Sequence, residues 1–170
     1  MPIQIGQRVP DGTLGEFIEQ ETPGCALGPN TFQVSKLVAG KRIVVFGLPG
    51  AFTPTCSAKH VPSYLASFAD LKARGVDEIW CVSVNDAFVM GAWGREEKTG
   101  GKIRMLADGS ALWSKALGLD QDLTAKGMGI RSQRYSMLLE DGVVKSLHVE
   151  APGKFEVSDA ATILKDLPAR

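Results

Sequence analysis

The stretch GLPGAFTPTCS, residues 47–57, closes an apolar β-branched run and sets a cysteine, Cys56, behind a turn punctuated by glycine and proline. A thiol becomes a nucleophile as its thiolate. The first turn of a helix favours such an anion, because its backbone N–H groups lack partners and the helix dipole is positive there. If Thr53 or Thr55 caps a helix at this point, Cys56 lies in that first turn. The competing reading is a buried thiol packing as a small hydrophobe, and position alone leaves both open. His60, four residues on, could share a helix face with Cys56 as a metal pair. His148 is the only other histidine, however, and no second Cys/His pair has ligand spacing, so no metal and no other cofactor is expected.

The elements that must position Cys56 follow from periodicity. KRIVVFGL (41–48) reads as a buried strand bounded by Gly47 and Pro49. TPTCSAKHVPSYLASFADLKARG then reads as one helix, kinked at Pro62 and stopped at Gly75. EIWCVSV (78–84) and KIRMLAD (102–108) are further strands, and DAFVMGAWGREEKTG and SALWSKALG further helices. RYSMLLEDGVVKSLHVE gives two strands joined at Asp141-Gly142, and VSDAATILKDL a closing helix opened by Ser158 or Asp159. The order β-α-β-α-β-α-β-β-α predicts an α/β fold over a single domain, residues 1–170, with a mixed central sheet flanked by helices and a C-terminal β-hairpin.

Composition narrows the partners. Nineteen basic residues balance nineteen acidic ones, so no net field draws the chain to nucleic acid or an anionic membrane. The longest apolar stretch, IVVFGLPGAF, is about half of the ~20 residues a membrane helix needs. The amino terminus lacks a secretory pattern, and a cytoplasmic location is expected. Cys25, Cys56 and Cys81 form an odd set without a C-x-x-C pair, which argues against a disulfide framework. GREEKTGG lacks the second glycine of a P-loop and GMGIRS precedes a strand, so no nucleotide is expected. Phe52, Phe88 and Trp93 would ordinarily be core residues.

Pro49, Thr53 and Cys56 make P-x-x-x-T-x-x-C, which resembles the active-site motif of the peroxiredoxins. GLPGAFTPTCSAKHVPSYL, VSVNDAFVMGAW and RYSMLLEDGVV together resemble the type II, peroxiredoxin-5-like branch, and the likeness runs from about Pro2 to Leu167. It implies a thioredoxin-like fold and a thiol peroxidase that reduces hydrogen peroxide and organic hydroperoxides through a Cys56 sulfenic acid. Thr53 would orient the peroxide, Pro49 would wall the pocket, and an arginine would stabilise thiolate and transition state. Of Arg131 and Arg134, the family motif RYSM selects Arg134, and alternation puts Arg134, Ser136 and Leu138 on one strand face. The resemblance makes His60 a pocket-lining or structural residue, places Phe52 and Phe88 near a dimer interface, and so implies a homodimer.

The chain departs from the branch in one respect. Animal-type members resolve the oxidised cysteine with a second one near the carboxyl terminus, where this chain has Ser158. Cys81, twenty-five residues after Cys56, matches the second cysteine of plant-type members, recycled by glutaredoxin, glutathione or thioredoxin. Its strand reads as buried on both faces, which makes it a weak candidate for a resolving thiol. Cys25 matches no site. An alternative to the enzyme is a redox sensor oxidised stoichiometrically at Cys56, and the missing C-x-x-C argues against a thioredoxin-type disulfide reductase.

Overall fold

The computed structural model describes residues 1–168. Its centre is three parallel strands, β3 (Arg42–Leu48), β4 (Glu78–Ser83) and β5 (Arg104–Ala107). They are buried on both faces, which is why each reads as a continuous apolar run. The expected hairpin, β8 (Tyr135–Glu140) and β9 (Val143–Val149), adds antiparallel to β3. Asp141 and Gly142 both take positive φ (48° and 77°), as a two-residue primed turn requires.

A second antiparallel pair, β1 (Thr13–Ile18) and β2 (Gly28–Gln33), completes a seven-stranded sheet of order β2-β1-β5-β4-β3-β8-β9. Neither strand is among those the sequence predicts. GPNTFQ opens with residue types depleted in strands, and its side chains alternate between half-buried and exposed at a sheet edge. A separate ribbon of β6 (Asp120–Leu123) and β7 (Gly129–Ser132) was likewise not expected, and it leads directly into Arg134.

Helices cover both faces. One face packs Val44, Phe46, Cys81 and Leu138 under α2 (Val61–Ala66), α3 (Phe68–Ala73), α4 (Ala87–Glu97) and α6 (Ala160–Asp166). The other packs Ile43, Trp80, Tyr135 and Met137 under α1 (Val34–Val38) and α5 (Leu112–Leu117). At Gly47 any Cβ would lie 2.1 Å from the Tyr135 ring paired beside it, so only glycine fits. Asp159, not Ser158, caps α6, accepting from Thr162 N–H at 3.0 Å. None of these helices is long and apolar enough to cross a membrane.

The single helix expected after β3 is three segments. Residues 56–60 wind as a π-helical turn, α2 follows, and the chain breaks at Ser67 before α3. Pro62 accounts for the π-turn: it has no N–H and its ring would crowd the Ala58 carbonyl, so the helix widens upstream, with Val61 N–H reaching the Cys56 carbonyl.

Candidate active site

The site begins where β3 ends. Gly50 turns the chain, and its carbonyl accepts from the Thr53 hydroxyl at 2.7 Å. Asn85 Oδ1 fixes the same turn, accepting from Ala51 N–H at 2.9 Å and from the Ser83 hydroxyl at 2.6 Å. The helical winding starts at Pro54, two residues before Cys56, as the sequence predicts. Neither threonine caps it with its side chain, however: the Thr53 carbonyl accepts the first helical bond, from Ser57 N–H at 2.9 Å, but its hydroxyl hydrogen goes to Gly50, and Thr55 makes no capping bond. With its hydrogen committed to Gly50, the Thr53 hydroxyl has only its lone pairs left to offer, as an acceptor.

Arg134 comes from the residue before β8, and the pairing of Tyr135 with Gly47 carries it to the end of β3 beside Pro49. Its Nη2 donates to Cys56 Sγ at 3.1 Å. Its Nη1 lies 2.9 Å from His60 Nδ1, and its guanidinium carbon stands 6.0 Å over the Phe155 ring. His60 is fully buried. Burial, and then the Arg134 charge, pull it down from 6.5 to about 3, so the ring is neutral at physiological pH. Its Nε2 lies 3.0 Å from the Ser158 carbonyl, an acceptor only, so the proton sits on Nε2 and Nδ1 is free to accept from Arg134.

The thiol itself is closed off: Cys56 has 0% exposure. Beside it opens a cavity of about 330 Å³ lined by Pro49, Thr55, Gln121, Gln133, Arg134, Glu150 and the loop 151–154. Arg134 both lines this cavity and touches the sulfur, so it stands between solvent and thiol. The structure thus brings Cys56, Thr53, Pro49, Arg134 and His60 together. Arg131 lies nearby but turns away from the sulfur, donating to the Met128 carbonyl at 2.8 Å and the Pro49 carbonyl at 3.3 Å. It braces the turn, and a Cβ at Gly50 would lie 2.8 Å from its Nη1.

Cys81 sits mid-strand in the same core cluster as Cys56, paired with Phe46 on β3 and Met105 on β5. Burial and its nearness to Cys56 push its thiol well up, against the opposing pull of Arg134. Cys25 is half-buried in the loop between β1 and β2, away from these residues, bridged to Thr22. Among the described residues no group of three or more His, Cys, Asp or Glu is arranged to hold a metal. Trp93 is buried and donates to the Ser57 hydroxyl at 2.9 Å, whereas Phe52 and Phe88 are exposed and not core residues. Three site residues carry no signal in the sequence: Glu150, Phe155 and Ser158 reach the site only because the loop after β9 folds back over His60.

Comparison with known proteins identifies the family and the fold. The Redoxin family model matches residues 4–164. Peroxiredoxin-2B of Arabidopsis thaliana is 48% identical over 98% of this chain and 99% of its own. The structure of reduced Prx3 from Vibrio vulnificus in complex with hydrogen peroxide is 49% identical, with a TM-score of 0.89 over 98% of this chain and 99% of that one. A Burkholderia cenocepacia structure, provisionally described as a thioredoxin reductase, is 64% identical, with a TM-score of 0.97 over 99% of this chain and 100% of that one. Family model, relatives and fold converge on one assignment: the chain belongs to the redoxin family and, within it, to the type II peroxiredoxins, which are thiol peroxidases of thioredoxin-like fold.

Proposed function

We propose that the peroxidase takes hydrogen peroxide and organic hydroperoxides at Cys56, with Arg134, Thr53 and Pro49 as its helpers, and is recycled by glutathione and glutaredoxin. The observation that carries the reading is the 3.1 Å contact from Arg134 Nη2 to Cys56 Sγ. The Cys56 thiolate attacks one peroxide oxygen. The S–O bond forms as the O–O bond breaks, sulfur gives up two electrons to become sulfenic acid, and the departing oxygen takes a proton and leaves as water or an alcohol. Negative charge moves from sulfur to the departing oxygen, and a fixed guanidinium beside both stabilises that shift. Thr53 orients the peroxide by accepting its O–H, and Pro49, with no N–H to offer, walls the pocket. The hydrogen peroxide bound to the Vibrio relative supports the smallest of these substrates.

Recycling by an external thiol is favoured by the position of Cys81. Its strand is bonded on both sides, and its thiol is held protonated, so joining it to Cys56 would require taking apart the sheet or unwinding the helix. In the one-cysteine cycle a glutathione thiolate attacks the sulfenic sulfur and releases water, and a second thiol, delivered by glutaredoxin, clears the mixed disulfide. Such a cycle needs a reducing thiol pool, in keeping with a cytoplasmic location. A disulfide reductase would need a dithiol, whereas the cysteines here lie 31 and 25 positions apart in sequence. The runner-up is local unfolding that brings Cys81 to Cys56 and gives a thioredoxin-reducible bond.

The test is one equivalent of peroxide, with and without glutathione, followed by mass-spectrometric mapping of the cysteines. A glutathione adduct on Cys56, with Cys81→Ser still active, is expected. A dominant Cys56–Cys81 disulfide would overturn the one-cysteine cycle, and Cys56→Ser retaining turnover would overturn the assignment of the nucleophile.

A further inference from the structure

We propose that Glu150 and Ser158 are positioning residues for this reaction: the loop they tie, residues 150–158, aims Arg134 at Cys56 through His60. The inference rests on the reading of Arg134 as the catalytic donor. Glu150 is buried, and its carboxylate accepts from the backbone N–H groups of Glu156 (2.9 and 2.8 Å), Val157 (2.8 Å) and Ser158 (2.8 Å) and from the Ser158 hydroxyl (2.7 Å). Three successive N–H groups converging on one anion make a nest, which fixes the course of the loop. The Ser158 carbonyl is left pointing the other way, where it accepts from Tyr64 Oη at 2.9 Å and from His60 Nε2 at 3.0 Å.

That carbonyl decides the tautomer of His60, and the bare Nδ1 then takes Arg134 Nη1 at 2.9 Å. A guanidinium is planar, so holding Nη1 also holds Nη2, the donor to Cys56 Sγ. The loop grips the backbone of the same arginine at its other end, where Glu150 N–H donates to the Arg134 carbonyl at 2.9 Å. One residue thus anchors Arg134 at its main chain directly and at its side chain through Ser158 and His60. Burying a carboxylate is costly unless it is saturated with donors, and every donor here belongs to this loop. A segment needed only to cover apolar surface would not require a buried charge.

The experiment is the single-turnover oxidation of Cys56 by hydrogen peroxide in the full chain, so that no reductant limits the rate. Glu150→Gln keeps the shape but loses the charge, and it is expected to slow oxidation about tenfold, since small misplacements of a catalytic group cost that much or more. In an Arg134→Ala background the same change should add less than about twofold, because a residue acting through Arg134 has nothing left to position. A wild-type rate in folded Glu150→Gln overturns the proposal, as does a tenfold loss in both backgrounds. If Glu150→Gln shows no cooperative thermal transition, Ser158→Ala, which deletes one bond of the nest, is carried through the same pair of backgrounds. It is expected to slow oxidation about threefold in the first and to add nothing in the second, and equal losses in both overturn the proposal. Arg134→Ala alone separates the two readings. If it leaves the rate intact, the role of Arg134 and the loop proposal both fall, whereas a slow Arg134→Ala beside a fast Glu150→Gln sinks the loop alone.

Discussion

Arg134 spends its guanidinium in two directions, one nitrogen on the sulfur and one on a neutral histidine, and this division sets what each nearby residue should do when changed. Arg134→Ala removes the donor to Sγ and should slow single-turnover oxidation about a hundredfold, the usual loss for one electrostatic donor. Arg131→Ala only frees the Pro49 carbonyl and the turn, and should slow it less than about fivefold. The reverse order in stopped-flow measurements would exchange their roles. His60 makes a prediction about stability. Its folded value lies near 3, against 6.5 for an ordinary histidine, so between these pH values the unfolded chain binds a proton that the folded chain refuses. Stability therefore falls as pH drops below 6.5, by up to about 1.4 kcal/mol per pH unit from this one group. Glu150 and Asp166, held below the usual carboxylate range by their hydrogen bonds despite burial, lose their contribution only at lower pH. Thermal unfolding at pH 6.5 and 5 isolates the histidine: His60→Gln should show a shallower slope than the wild type, and an unchanged slope would mean that His60 does not titrate in this way.

At the scale of elements, the π-turn at 56–60 sets the phase in which Cys56 faces Arg134, and Pro62 is its physical cause. Pro62→Ala restores an N–H for the Ala58 carbonyl and lets the segment wind as α-helix, rotating Cys56 away from Arg134. Oxidation should slow about tenfold while the thermal midpoint holds or rises, because a helix-interior proline costs about 3 kcal/mol relative to alanine. A wild-type rate would show that the π-turn is not needed. The sequence shows that Pro62 disturbs this helix, but whether by a kink or by a wider turn depends on packing around it. The central strands and the β8–β9 hairpin are readable because burial on both faces demands β-branched runs and the turn demands Asp-Gly. β2 and the β6–β7 ribbon are not, because strands at a sheet edge or in a lone ribbon are held by main-chain pairing and can carry Gly, Asn and Asp, and β1, though paired on both sides, fully buries only Leu14 and so shows no apolar run. Cys56 and Arg134 are legible for a different reason: their chemistry restricts the residue type. Ser158 acts through its carbonyl and Glu150 through a loop fold, and neither function restricts the sequence nearby in a recognisable way.

On the surface of the whole molecule, Phe52 (52% exposed), Phe88 (62%) and Leu112 (71%) are exposed apolar side chains. Phe88 is on α4 itself, and Phe52 stands 6.3 Å from the ring of Trp93 on the same helix. Phe52 follows Ala51, whose N–H is held by Asn85, and the backbone of Asn85 and Asp86 flanks Gly109 on the way to Leu112. Phe52 also has φ 63°, a left-handed conformation that costs a non-glycine residue about 1–2 kcal/mol. The strain turns an aromatic ring outward beside the Gly50–Thr53 turn, where it would bury apolar area only against a second copy. A homodimer is accordingly predicted, with Phe88 near the centre of its interface. Sedimentation velocity at micromolar concentration should give twice the chain mass for the wild type and a single chain mass for Phe88→Arg. Because Phe52 lies four residues before Cys56, loss of the partner should also loosen the Gly50–Thr53 turn and slow Cys56 oxidation by about threefold to tenfold, with the thermal midpoint little changed. A monomeric wild type would remove the reason for the exposed rings. A monomeric Phe88→Arg that oxidises at the wild-type rate would keep the dimer but detach it from catalysis.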